Sequence, residues 1–309
     1  MKKLLFILVA LCFIPSFVFA DDVDEGLPSN TPARIKESAR QVISLGIENQ
    51  GVIKMTRTML ENKYTEKQML AAHEILMKAQ RQSLSTEPIM NKFHESVAKK
   101  EKAANNIKAM ETVRANYQTA SGLAGKMTQD KEQVKAITQE MAECMNAGIT
   151  TKNMEQIATT LQQKTRDMKT DDGQALNRET LSTAKLMAKA GADSGSVAKV
   201  MKNAFAKGYT VRDMEKLGSA FMEQVMNASS GTALAKSYAN AIKNGATADN
   251  VGNYAQASAG SSLGQEDFDS EDFDSGTSGS GSSGGGFGSG SGSSGGSGRG
   301  SGGGGRGGR

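Results

Sequence analysis

A short cassette recurs five times in this chain: an apolar residue, Thr or Asp, two variable residues, a polar residue, then Met or Val. The copies are Tyr64-Thr65…Gln68-Met69, Ile149-Thr150…Asn153-Met154, Ala192-Asp193…Ser196-Val197, Tyr209-Thr210…Asp213-Met214 and Ala246-Thr247…Asn250-Val251. Gly148, Gly191, Gly208 and Gly245 precede the last four. A glycine in that place ends a helix in the left-handed conformation. The Thr or Asp accepts a hydrogen bond from the free N–H groups of the next helix. The apolar residue before the cap packs on the Met or Val five positions on, as a hydrophobic staple. The cassette is therefore a tight helix–helix corner, and its recurrence predicts a stack of short helices.

The helices follow from apolar spacing. A first opens at Asn30-Thr31-Pro32, with Pro in the first helical position and a stripe of Ile35, Ala39, Val42 and Ile43. A second carries Val52, Met55, Met59 and Leu60. A third starts at Thr65, with Gln68 completing a capping box and Met69, Ala72, His73, Leu76 and Met77 on one side. Ser83 to Pro88 interrupts the pattern, which resumes at Ile89, Phe93 and Val97 and then at Ile107, Met110, Val113 and Tyr117. Further helices are expected near 130–146, 150–166, 174–189, 193–206, 210–226, 231–243 and 247–258, with Lys169 to Gly173 as the one longer turn. Caps at Asp130 and Asp193, and at Thr150 and Thr210, suggest a duplicated unit of about sixty residues. The β-branched residues do not alternate, so no strand pattern competes. The expected fold is all-α, a solenoid-like stack of αα-hairpin repeats over residues 33–260.

The two ends differ from this body. Residues 1–20 read as a secretion signal: Lys2 and Lys3, an apolar run from Leu4 to Phe13, and a cleavage site at Val18-Phe19-Ala20. The run is short for a membrane span, and no other segment approaches the needed length. Cleavage near Ala20 places the mature chain in the bacterial periplasm or outside the cell. Residues 21–32 are acidic and turn-rich, and are expected to be loose. Residues 261–309 carry a tandem acidic pentapeptide, Glu266 to Ser270 and Glu271 to Ser275, followed by Gly and Ser with Arg299, Arg306 and Arg309. Such a segment buries too little apolar surface to offset its chain entropy, and disorder is the expectation. It takes 20 of the 35 glycines with it.

Charge divides the same way. Residues 33–264 hold 32 basic and 23 acidic side chains, and the acidic tail adds six negative charges. A mildly basic helical body suits anionic surfaces such as cell-wall polymers.

Candidate chemistry is sparse. Cys144 is the one cysteine left after the signal and lies on the stripe Val134, Ile137, Met141, Cys144, Met145, as a small buried hydrophobe does. His73 and His94 are the only histidines, and neither has a zinc-type partner at ligand spacing. The pairs Met55/Met59, Met141/Met145 and Met222/Met226 are one helical turn apart and raise a Cu(I) alternative, since thioethers suit that ion. The same spacing serves a core stripe. With no Trp and sixteen methionines in the mature chain, the core is expected to be plastic and only modestly stable. No nucleophile elbow and no phosphate-cradling loop occurs. Arg306-Gly307-Gly308 is a single Arg-Gly-Gly box with only Phe287 near it, too little for a nucleic-acid reader. The sequence nominates no catalytic, cofactor-binding or metal-binding residue.

Thr86-Glu87-Pro88-Ile89-Met90-Asn91-Lys92 and the later glycine–Thr corners resemble uncharacterised exported bacterial proteins built from short α-helical repeats. Lys100 to Ala104 departs from them in lacking a Gly-Val-Pro turn. The resemblance implies a helical body and transfers no activity. The expected role is a non-enzymatic binding or scaffold module of the periplasm or envelope, engaging a protein or envelope polymer. Copper handling and an envelope structural part are the alternatives.

Overall fold

In the computed structural model, residues 21–261 are described, and within them there are thirteen helices and no strand. The signal segment 1–20 and the acidic and Gly/Ser-rich segment from 262 lie outside the described residues. The helices are α1 (Asp21–Gly26), α2 (Ala33–Ser44), α3 (Asn49–Glu61), α4 (Glu66–Arg81), α5 (Glu87–Ala98), α6 (Ala103–Met127) and α7 (Lys131–Asn146). They continue as α8 (Thr151–Thr165), α9 (Thr170–Lys189), α10 (Ser194–Ala206), α11 (Val211–Val225), α12 (Gly231–Lys243) and α13 (Val251–Ser261).

The corners follow the cassette. Gly148, Gly191, Gly208 and Gly245 all hold positive φ. At Gly148, the N–H donates to Met145 O at 3.0 Å and the N–H of Ile149 to Cys144 O at 3.1 Å. This pair of bonds closes the end of α7 as a Schellman motif. Thr65, Thr150, Asp193 and Thr210 accept from the backbone N–H three residues on, and Thr65 and Thr210 form full capping boxes. All ten staple residues of the five copies are buried. The fifth copy differs: Asn250 Oδ1 accepts from Thr247 N at 2.8 Å, residues 248–250 form a turn, and α13 starts at Val251. Three more corners use the same closure without glycine, at Lys63, Ser83 and Lys100, each at positive φ.

Even-numbered helices α2, α4, α6, α8, α10 and α12 pack in succession as one row. In the other row α1, α3 and α5 pack in succession, as do α7, α9, α11 and α13. Each rung is thus a helix pair, and equivalent corners recur about every forty residues, as from Gly208 to Gly245. The sixty-residue spacing of caps compares corners on opposite edges of the stack, so it is not the structural unit.

Side chains stitch successive corners together. Ser194 Oγ accepts from Thr150 N at 2.9 Å and from Asn153 Nδ2 at 2.7 Å. The next corner repeats the arrangement, with Thr232 Oγ1 accepting from Asp193 N at 2.9 Å. On the opposite edge the Tyr209 hydroxyl donates to Ala246 O at 2.9 Å. The buried residues form one continuous cluster to which twelve methionines contribute. Stacking supplies the apolar burial that helices of this length lack alone.

Three local expectations are corrected. The acidic stretch 21–32 is not loose throughout: Asp21–Gly26 is helical, Val23 and Leu27 are buried, and Asp24 pairs with Lys36 at 3.2 Å. Val23 and Leu27 sit four residues apart, and that apolar pair outweighs the surrounding charge. Residues 170–173 belong to α9, because Gly173 lies against Thr165 and lets the two helices close up. Pro32 is the cap of α2, one place before its first helical residue.

Candidate functional site

The residues with chemically reactive side chains are mostly structural by position. His73 is fully buried, its Nε2 2.9 Å from Thr56 Oγ1 and its Nδ1 3.0 Å from Ser38 Oγ. Burial lowers its pKa to about 4, so it is a neutral bridge between α2, α3 and α4. His94 stands edge-on to Phe93, with its pKa lowered by burial and by Lys54. Cys144 is fully buried, its thiol donates to Leu181 O at 3.2 Å, and burial raises its pKa to about 12. Met55, Met59, Met141 and Met145 are core residues, whereas Met222 on α11 and Met226 just past its end are exposed. Among the described residues no three His, Cys, Asp or Glu side chains group closely enough to hold a metal. The structure does not bring these residues together.

What it builds instead is a groove. The odd-numbered row pauses between α5 and α7, and α6 packs against both. α6 is 25 residues long, and α4 and α8 also lean on it. Its remaining face is the floor of a cleft of about 1650 Å³ walled by α5 and α7. Each surface of the cleft shows helical periodicity. The floor runs Asn105, Ala109, Thr112, Asn116 and on to Ser121. One wall presents Glu87, Asn91, Lys92 and Glu95 of α5; the other presents Lys131, Val134, Lys135, Thr138 and Gln139 of α7.

Amide and hydroxyl side chains, each able to donate and accept, are the largest group in a lining that also holds charged residues and apolar ones such as Leu84, Ala109 and Val134. Asn116 Nδ2 donates to Asn146 Oδ1 at 2.8 Å, which ties the floor to the α7 wall. Tyr117 lies buried in the floor; burial and the nearby Glu143, Glu87 and Glu140 raise its pKa to about 12, so its phenol is neutral. Two of the groove's carboxylates are engaged: Glu95 with Lys92 at 3.1 Å and with Lys99, and Glu143 with Lys185 at 2.8 Å. Lys185 also reaches Glu140 at 3.1 Å, clamping α9 to α7. Thr138 holds a buried hydroxyl with no partner.

Sequence reasoning missed this groove. Its one signal was the run of small and polar residues at helical spacing on α6, where an inner helix of a stack should carry apolar ones. A smaller cleft of about 640 Å³ lies on the other side of α7, between the α6–α7 and α8–α9 corners, with the unpartnered Asn177 Oδ1 in its lining residues. Nothing in that cleft concentrates charge or nucleophiles. No helix among the described residues is long and apolar enough to cross a membrane. Compared with protein-family models, curated proteins and solved structures, the chain finds no match in any of the three.

Proposed function

We propose that this chain is a non-catalytic, exported helical-repeat protein that binds an elongated polar partner along the α5–α6–α7 groove. The observation that supports this is the pause in the odd-numbered row, which leaves a long slot in which amide, hydroxyl and charged side chains are interspersed with small apolar ones. A stack that merely supported itself would fill such a slot with another helix or with large apolar residues. The absence of convergent acid–base or nucleophilic groups in the groove favours binding over chemistry. Export rests on the segment 1–20 and makes an envelope protein or polymer the natural partner.

Ala109 sits half-buried on the floor, so Ala109→Tyr fills the groove without displacing the core. Capture from envelope extracts by the full chain and by this variant tests the reading. A partner retained by the natural chain and lost by the folded variant supports it. A partner retained equally by both, or none captured by either, overturns it.

A further inference from the structure

We infer that the occupant of the groove is an extended acidic peptide, gripped through its main chain by the floor of α6 and through its carboxylates by the α7 wall. This rests on the groove being the binding site and adds the chemistry of what it holds.

Length is the first argument. From Asn105 to Ser121 the floor extends about 24 Å at 1.5 Å per residue. An extended chain at about 3.4 Å per residue covers that with about seven residues. Spacing is the second. Asn105, Thr112 and Asn116 share one face, Thr112 two turns beyond Asn105 and Asn116 one turn further, about 6 Å along the axis. An extended strand offers outward N–H and C=O groups on one side every two residues, about 6.8 Å. Asn105 Nδ2, the Thr112 hydroxyl and Asn116 Nδ2 already donate to Glu101, Lys108 O and Asn146, which leaves their oxygens to accept strand N–H groups; a helix has no such N–H groups free along its sides. A docked amphipathic helix needs a row of exposed apolar anchors, and of the apolar floor residues Ala109, Val113 and Tyr117 the last two are buried.

Charge gives the third argument. Among the described residues Lys131 and Lys135 of the α7 wall make no ion pair, and nor does Lys189 at the end of α9, whose charge acts on Glu143. The acidic residues Glu95 and Glu143 are already neutralised by lysines, leaving Glu87 on the opposite wall. Lys131 and Lys135 are also about 6 Å apart, which matches carboxylates at alternate positions of a strand. Thr138, one turn further on the same wall, holds a buried hydroxyl without a partner.

The probe is a fluorescein-labelled seven-residue peptide alternating Thr and Glu, titrated by anisotropy into the full chain. Saturable binding is expected, weakening as salt rises. Replacing Glu by Lys in the peptide should weaken it more than tenfold. The variant Lys131→Gln/Lys135→Gln should weaken it roughly fivefold while its circular dichroism stays unchanged. Methylating alternate peptide nitrogens removes the main-chain donors and should abolish binding. The inference falls if the acidic peptide does not bind, if the Lys or N-methyl peptide binds as well, or if the lysine variant binds undiminished. It falls too if polygalacturonate of equal charge binds as tightly. A partner lost on Ala109→Tyr with no affinity for the peptide removes the acidic occupant and leaves the groove. A partner indifferent to Ala109→Tyr removes both.

Discussion

The side-chain amide of Asn106 on α6 donates to the phenol oxygen of Tyr64 at 2.8 Å and to Phe93 O at 3.2 Å. A single fully buried residue thereby fastens the α3–α4 corner and α5 to the helix that floors the groove. Asn106→Leu takes the donor from the phenol oxygen and leaves Phe93 O with its helical bond alone, offset in part by removing the unpartnered Asn106 Oδ1. A loss of about 1–3 kcal/mol is expected from denaturant unfolding, and Tyr64→Phe should cost less because Asn106 Nδ2 keeps its bond to Phe93 O. A double-mutant cycle should return a coupling above about 0.5 kcal/mol. Additivity of the two changes would refute this account of the contact.

Corner chemistry predicts two substitutions of opposite sign. Gly208 has φ of 76° and nothing within 4 Å of the place a Cβ would take, so Gly208→Ala meets a purely conformational penalty of about 1 kcal/mol. Lys63 closes the same kind of corner at φ of 57° while carrying a Cβ. Lys63→Gly relieves that strain, offset in part by the freedom glycine gains when unfolded, and should stabilise by about 0.5 kcal/mol. Paired urea titrations decide it; a loss at Lys63→Gly would mean that its side chain contributes more than the corner does.

The C-terminal half was legible because its corners announce themselves. Glycine, cap and staple occur together at Gly148, Gly191 and Gly208, and the helices after them begin within one residue of expectation. The same fold device at Lys63, Ser83 and Lys100 is harder to read, since the left-handed residue there has no sequence mark. Tyr64 was found through its cap, whereas Leu84 and Glu101 close their corners without one. The groove was invisible for a different reason. Helical spacing tells which face of α6 is apolar, but not that its polar face is roofless between two walls. That depends on α5 and α7 not packing against each other as the other neighbours of their row do, a property of the whole stack.

Cys144 is a test of how tightly the Met-rich core closes. Its thiol is fully buried, held by Leu181 O and raised to about 12, so almost no thiolate forms at neutral pH. A disulfide-forming thiol reagent should therefore leave the folded chain unlabelled for as long as it stays folded, and should label one thiol per mature chain in denaturant. Rapid labelling of the native protein would show that the packing around Met141 and Met145 opens locally.

The bridge Ser38–His73–Thr56 makes stability depend on pH in a defined window. In the unfolded chain His73 titrates at its ordinary value of 6.5, but in the fold burial brings it to about 4. Between those values the unfolded state binds the extra proton, so acidification favours unfolding there. The contribution is full above pH 6.5, declines as pH falls and is gone below about 4, in total roughly 3 kcal/mol. Glu95 and Asp213 have carboxyl groups held below their usual range by Lys99 and by Thr210, and they lose stability at lower pH than His73 does. His73→Gln keeps a polar group between the two hydroxyls and cannot take a charge. Unfolding free energies measured from pH 7 to 4 should converge for the natural chain and this variant as pH falls. Parallel curves would place the proton elsewhere and disprove a neutral, buried His73.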